Sequence, residues 1–307
     1  MQINSPIRLG LCCAFINEPI KFRTTTVKSI SGLDRDKALD KLYELCLNNA
    51  QQLFKSLEFC AANNIGCFRI NSQILPIKTH AEFGYDIYDI PNGENIVNLF
   101  KDCRQYSKEN NIRTSLHPDQ FVVMNSPNPD VVIRSIAELE YQAQVAEWVG
   151  ADVVNIHGGG GYGDKPKALS TFAKNLNRLS DRVRKRLTLE NDDVTYTPED
   201  LLSLCHNENI PLVFDIHHHR CNQDKMTGEE ATKKAIETWD REPMFHISSP
   251  RQGWNGPKTR QHHDYIDLKD FPDYWINLKL TVEVEAKAKE VAVLKLNNQL
   301  KKIRCSI

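Results

Sequence analysis

The sequence predicts a single-domain (β/α)8 TIM barrel, an α/β fold, and three observations predict it. Eight short β-rich runs recur along 307 residues, helical periodicity fills the longer stretches between them, and polar side chains gather at the ends of the runs. The runs are 7–13, 65–70, 112–117, 152–157, 186–190, 211–216, 243–248 and 278–285. Each is brief, apolar and rich in β-branched or aromatic residues, as a strand buried on both faces should be. Between them, 39–64 carries apolar residues at nearly every third or fourth position, and 93–110, 136–151, 168–185, 197–208 and 227–240 have the same helical character. Thr197 and Pro198 read as the cap and first-turn residue of one helix. A last helix over about 286–302 is expected to pack on or beside the barrel. Alternation of strand and helix requires a parallel sheet, and eight repeats suit closure. An open doubly wound sheet is the competing architecture, but no GxGxxG follows the first strand.

Composition narrows the class. Forty per cent hydrophobic and 26% charged residues with a net charge of −1 describe an ordinary globular chain with no overall pull toward nucleic acid. No apolar run approaches the roughly 18 residues of a membrane span, and MQINSPIRLG lacks signal-peptide character, so a soluble cytoplasmic protein is expected. Nine cysteines form an odd set without a CxxC pair, which suits reduced core residues better than disulfides or a zinc ribbon.

The polar residues carry the functional signal. His117, His157, Glu190, Asp215, His246 and Glu285 stand at or near the ends of runs three to eight. In a parallel barrel those ends converge on the face where barrel enzymes hold their active sites. Of ten histidines only His206 falls in a predicted helix. In NIPLVFDIHHHRC, strand alternation would point Asp215 and His217 one way and His218 the other. Buried carboxylates and imidazoles are costly when unpaired, and divalent ions are a common partner; a hydrogen-bond network without ions is the alternative. About nine possible ligands exceed the needs of one zinc site. Two or three ions are therefore expected, with Glu190 a candidate bridge, and mixed imidazole and carboxylate donors admit Mn, Zn or Fe. Such a centre suits activation of water against a phosphodiester.

These motifs give the chain a specific resemblance. FRINSQILPIKTH, SLHPDQFVVMNSP, VVNIHGGGGYGDK, LTLENDD, VFDIHHH, FHISSPRQG, HHDYI and EAKAKE span nearly the whole length. Together they resemble the UV damage endonucleases, metal-dependent TIM-barrel repair enzymes related in architecture to endonuclease IV. The resemblance implies metal ligands at His80, His117, His157, Glu190, Asp215, His218, His246, His262 and Glu285, with Glu190, His157 and Glu285 as the catalytic set. Glu190 would bridge two ions, His117 and His157 would serve the first, and Asp215, His246 and Glu285 the second; His218 and His262 would complete a third. His262 rather than His263 matches the family's His-x-Asp-Tyr. The implied cofactor is Mn2+, as two or three ions, with Zn2+ or Mg2+ also open. The implied reaction is cleavage immediately 5′ to a lesion in damaged double-stranded DNA. Gln120 and Phe121 match a pair that family members push into the duplex at the damage, where an amide and a ring replace lost stacking. Phe121 could instead open an apolar patch with Val122 and Val123. Two departures stand out. Met244 occupies the position of a chemically modified lysine ligand, and Leu11 that of a tyrosine beside the lesion.

Several features remain open from sequence. The glycine run 158–161 could present backbone N–H groups to a phosphate or only permit a tight turn. Lys287 and Lys289 beside Glu285, and Arg251, Lys258 and Arg260 in 250–262, could hold DNA phosphates, whereas Lys295, Lys301, Lys302 and Arg304 read as a solvated helix face. Trp254 is either a stacking residue or a loop anchor. Rival functions on the same barrel are a metal-dependent sugar isomerase or epimerase and a damaged-DNA-binding protein with an incomplete metal site. The many ligands and two long loops, 119–130 and 250–262, favour the nuclease. A monomer is expected, since an open-faced barrel needs no partner.

Overall fold

Eight parallel strands close into a barrel in sequence order, β1 to β8, each pairing with its neighbours and β8 returning to β1. They are β1 Ile7–Cys12, β2 Cys67–Ile70, β3 Arg113–Leu116, β4 Val153–His157, β5 Leu187–Glu190, β6 Leu212–Asp215, β7 Met244–Ile247 and β8 Leu280–Val284. The computed structural model describes residues 7–304; Cys305 lies outside them, as does the side chain of Arg304. The helices are α1 Arg35–Ala62, α2 Gly93–Glu109, α3 Pro129–Val149, α4 Lys165–Leu176, α5 Asp181–Arg184, α6 Pro198–Glu208, α7 Ile216–Cys221, α8 Gly228–Ile236 and α9 Lys289–Arg304. No described helix is long and apolar enough to cross a membrane. All eight described cysteines are free.

Local chemistry explains the boundaries. Thr197 accepts the Asp200 N–H while Asp200 accepts the Thr197 N–H, and Pro198 opens α6, so the cap read from sequence is present. Two segments differ from expectation. The 168–185 stretch is two helices, because Ser180 turns out to cap α5, with its own N–H donating to Glu140. α9 starts at Lys289 because the backbone of Lys287 and Ala288 instead bonds the carbonyls of His263 and Asp264, at 3.1 and 3.0 Å. Glu290 in the first turn of α9 accepts the N–H groups of Ile16 and Asn17 at 2.9 and 2.7 Å, tying that helix to the chain leaving β1. Ala292, Val293, Leu296 and Leu300 are its buried face.

The apolar core lies mainly between strands and helices, built from residues such as Phe68, Phe100, Phe172, Phe214, Phe245 and Trp275. Leu11 belongs to it. This side chain has no exposed surface. The barrel interior is different: Arg69, Ser115, Asn155, Thr188, Glu190, Asp215, His246 and Glu283 are all buried there. That many buried polar groups must satisfy one another or bind something.

Candidate metal centre

Strand register assembles the centre. His157 lies opposite Glu190, Asp215 opposite His246, and His246 opposite Glu283. Glu190 is surrounded: one oxygen lies 2.9 Å from His117 Nε2 and 3.9 Å from His157 Nε2, the other 3.0 Å from His246 Nδ1 and 3.3 Å from His218 Nδ1. His246 Nδ1 is also 3.5 Å from Glu285, and His262 Nδ1 lies 3.7 Å from the second Glu285 oxygen.

His218 reaches this centre by a route that alternation misjudged. The strand stops at Asp215, whose carboxylate accepts the His218 N–H at 2.8 Å and starts the short helix α7. Helical i, i+3 spacing then brings His218, rather than His217, to within 3.6 Å of the Asp215 carboxylate. An Asp before an apolar residue is a cap signal as well as a strand end, and the cap wins here.

Three overlapping donor groups result: His117, His157 and Glu190; Glu190, Asp215 and His218; Asp215, His246 and Glu285, each with its ligand atoms within 4.8 Å of one another. The residues fit divalent ions on a structural criterion. Asp215 Oδ2 is buried without a hydrogen-bond partner, an unusual cost unless a cation approaches. Supporting contacts aim the donors. His117 Nδ1 faces the Pro118 carbonyl at 3.0 Å, freeing Nε2 for the centre; Asn155, held by Thr188, donates to Glu190 at 2.5 Å; and the Asn191 amide brackets the Asp215 backbone. The structure therefore gathers seven of the nine expected ligands into these groups. His262 borders them, and His80 stands apart, exposed, its Nδ1 accepting from the Glu82 and Phe83 N–H groups at 3.2 and 3.1 Å. His263 instead turns its Nδ1 to the Tyr265 backbone.

Electrostatics reflect the crowding. Burial alone would discharge His246, yet Glu190 and the neighbouring carboxylates overcome it and push the imidazole to about 10. His218 is likewise raised, burial being outweighed by Asp215 and Glu190, while burial lowers His157. Burial would raise Glu283, but Arg69 and His246 bring it down to about 2. The stability consequence follows by linkage. A raised histidine stabilises the fold fully below the unfolded value of about 6.5, and that contribution disappears as pH rises through the folded value. The thermal midpoint of the metal-stripped chain should therefore fall from pH 7 to pH 9, and saturating divalent ion should flatten the slope by replacing the protons. A midpoint that rises over that interval in the stripped protein would contradict these assignments.

The surrounding loops hold the remaining sequence candidates. Phe121 is 69% exposed beside exposed Gln120, whereas Val122 and Met124 are buried, so the loop after His117 is anchored by its apolar residues and Phe121 is not part of that patch. Within 119–130, Val122, Met124, Asn125 and Ser126 are buried, whereas Gln120, Phe121 and residues 127–130 are exposed. Lys287 and Lys289 line a cleft of ≈ 380 Å³ with Cys12, Cys13, Arg69, His262 and Glu285. Arg251 is exposed, with its guanidinium 3.2 Å from Gln261. Trp254 donates its indole N–H to Asp270 at 2.7 Å and lies 5.3 Å from the His217 ring, which makes it a loop anchor. A Cβ on Gly158 would fall 2.6 Å from the Tyr196 ring, so the chain's close approach there requires glycine, and Asp164 caps α4 by accepting the Lys167 N–H. Met244 is fully buried with Cys67 and Val153, below the donor groups.

Sequence reasoning missed Arg69 and Glu283. Arg69 bonds both Glu283 and Glu285, the latter at 2.6 Å, and Glu283 Oε2 lies 3.0 Å from His246 Nε2. The signal was available. Glu283 and Glu285 share a face two residues apart, and an arginine inside the apolar run 65–70 needs an acidic partner.

Fold and site together define a TIM barrel with a multidentate nitrogen and oxygen centre at the C-terminal ends of its strands. The chain belongs to the UV-endonuclease UvdE family, whose model matches residues 7–306. It is 34% identical over 293 residues to a UV DNA damage endonuclease of Bacillus cereus strain G9842, covering 92% of this chain and 90% of that protein. The crystal structure of SacUVDE superposes with a TM-score of 0.86 at 28% identity, covering 97% of this chain and 99% of the other. Endonuclease IV from Thermus thermophilus shares the fold, with a TM-score of 0.62 at 14% identity over 96% of this chain and 99% of its own.

Proposed function

We propose that this chain is a DNA repair endonuclease that hydrolyses the phosphodiester immediately 5′ to UV photolesions, and to other lesions that distort the duplex, with two or three divalent ions, manganese first among them. The observation that carries the reading is the set of three overlapping donor groups sharing Glu190 and Asp215. Ions held there would polarise a phosphate and lower the pKa of water. His117, His157 and Glu190 hold one end of the centre, and Asp215, His246 and Glu285 the other, with His218 between them. His262, 3.7 Å from Glu285, would close the outer coordination, and His80, which stands apart from the donor groups, would join it only by moving toward them. Lys287 in the adjoining cleft, and Arg251 on the 250–262 loop, would bind backbone phosphates. Gln120 and Phe121 would enter the stack where damage has weakened it, so recognition follows deformability more than one lesion's chemistry. The C-terminal helix belongs to the same single domain, and the working form is a cytoplasmic monomer acting on damaged duplex.

The test is incision of ultraviolet-irradiated plasmid with added Mn2+, with end analysis expected to give a 3′-hydroxyl at the nick. Equal nicking of unirradiated plasmid, or none with any divalent ion, would refute the reading. Elemental analysis of gently purified protein should find at least two divalent ions per chain. A value near zero would refute the metal centre itself.

A further inference from the structure

Glu283 is a buried carboxylate that the metal groups do not include. We propose that Glu283, held by Arg69, is a positioning residue for His246: it accepts the Nε2–H of that ring and so leaves Nδ1 as the bare nitrogen facing the ions. This rests on the metal-centre reading above and extends it to a residue outside the ligand set. The geometry separates the two faces of the ring. His246 Nε2 lies 3.0 Å from Glu283 Oε2, while Nδ1 lies 3.0 Å from Glu190 and 3.5 Å from Glu285, both members of donor groups.

Glu283 itself is tightly fixed. Arg69 Nε donates to Oε2 at 2.5 Å, and the Ser115 hydroxyl donates to Oε1. Space for its side chain comes from Gly10 on the neighbouring strand, where an added Cβ would sit 3.1 Å from Glu283 Cγ. Arg69 reaches on to Glu285 at 2.6 Å, so one guanidinium sets both the positioning carboxylate and a ligand carboxylate. A carboxylate behind a ligating imidazole fixes its tautomer and raises its basicity, and removal of such partners costs about 10- to 100-fold in metal affinity. The competing arrangement is equally concrete. Arg69 Nη2 is 2.8 Å from His246 Nε2, and if Nε2 accepted from it, the proton would sit on Nδ1 and block ligation there.

Two measurements decide. Long-range proton–nitrogen spectra of the histidine rings in the Zn2+-loaded wild-type chain should show His246 protonated at Nε2 and coordinated at Nδ1; a proton on Nδ1 would overturn the proposal. Mn2+ titration of the metal-stripped chain should then show Glu283→Gln weakening one site by about 10- to 100-fold, with the remaining affinity kept. Unchanged Mn2+ affinity in a folded Glu283→Gln protein would also overturn it, and if that variant does not fold, the wild-type spectrum decides alone. A wild-type chain that binds no divalent ion removes the metal centre and this proposal together. One that binds ions but never cuts DNA removes only the nuclease reading.

Discussion

Glu190→Gln is expected to reduce incision of irradiated duplex by about a thousandfold or more, roughly 4 kcal/mol of transition-state stabilisation. The exchange preserves shape, so the effect isolates chemistry. Glu190 has no exposed surface, and both of its oxygens face imidazoles, with His117 on one side and His246 and His218 on the other. It also belongs to two of the three donor groups, as the shared member of each. An amide removes the negative charge and replaces one lone-pair donor with an N–H2 that cannot ligate. The Glu190→Gln protein should therefore lose at least one bound divalent ion per chain while its circular dichroism stays native. Near wild-type cutting by that folded variant, with its full complement of metal, would show that Glu190 is not the bridge.

Phe121→Ala should weaken binding to damaged duplex by about 10- to 100-fold, corresponding to the roughly 1–3 kcal/mol that one aromatic stack on a base supplies. Its effect on folding should be small, within about 0.5 kcal/mol, because the ring is 69% exposed and leaves no cavity behind. Gln120→Ala should act in the same direction and less strongly. Fluorescence anisotropy at one fixed salt concentration, with damaged and undamaged duplexes of the same sequence, separates recognition from general phosphate binding. An equal loss on both duplexes would reduce Phe121 to a non-specific contact, and no loss on either would remove it from the interface. Metal content should be unchanged, since the ring belongs to none of the donor groups.

Much of this was legible along the chain because its signals are periodic. Eight apolar runs and the helices between them dictated the barrel, and a polar residue at the end of each of runs three to eight marked the face to which a parallel barrel must bring them. What eluded the sequence depends on partners distant along the chain. Arg69 and Glu283 are 214 residues apart, and only register across the closed barrel makes them an ion pair. His218 over His217 was decided by a cap that converts strand alternation into a helical turn. Leu11 in the core and Phe121 in water were settled in the same way: whether an apolar residue faces solvent or core is set by what packs over it, which local pattern does not contain. The sequence by itself determined the fold, the face and the ligand types, since strand and helix periods and strand polarity are local properties. Only the tertiary structure decided which nitrogen meets which carboxylate, because strand register and side-chain direction place those atoms to within an ångström.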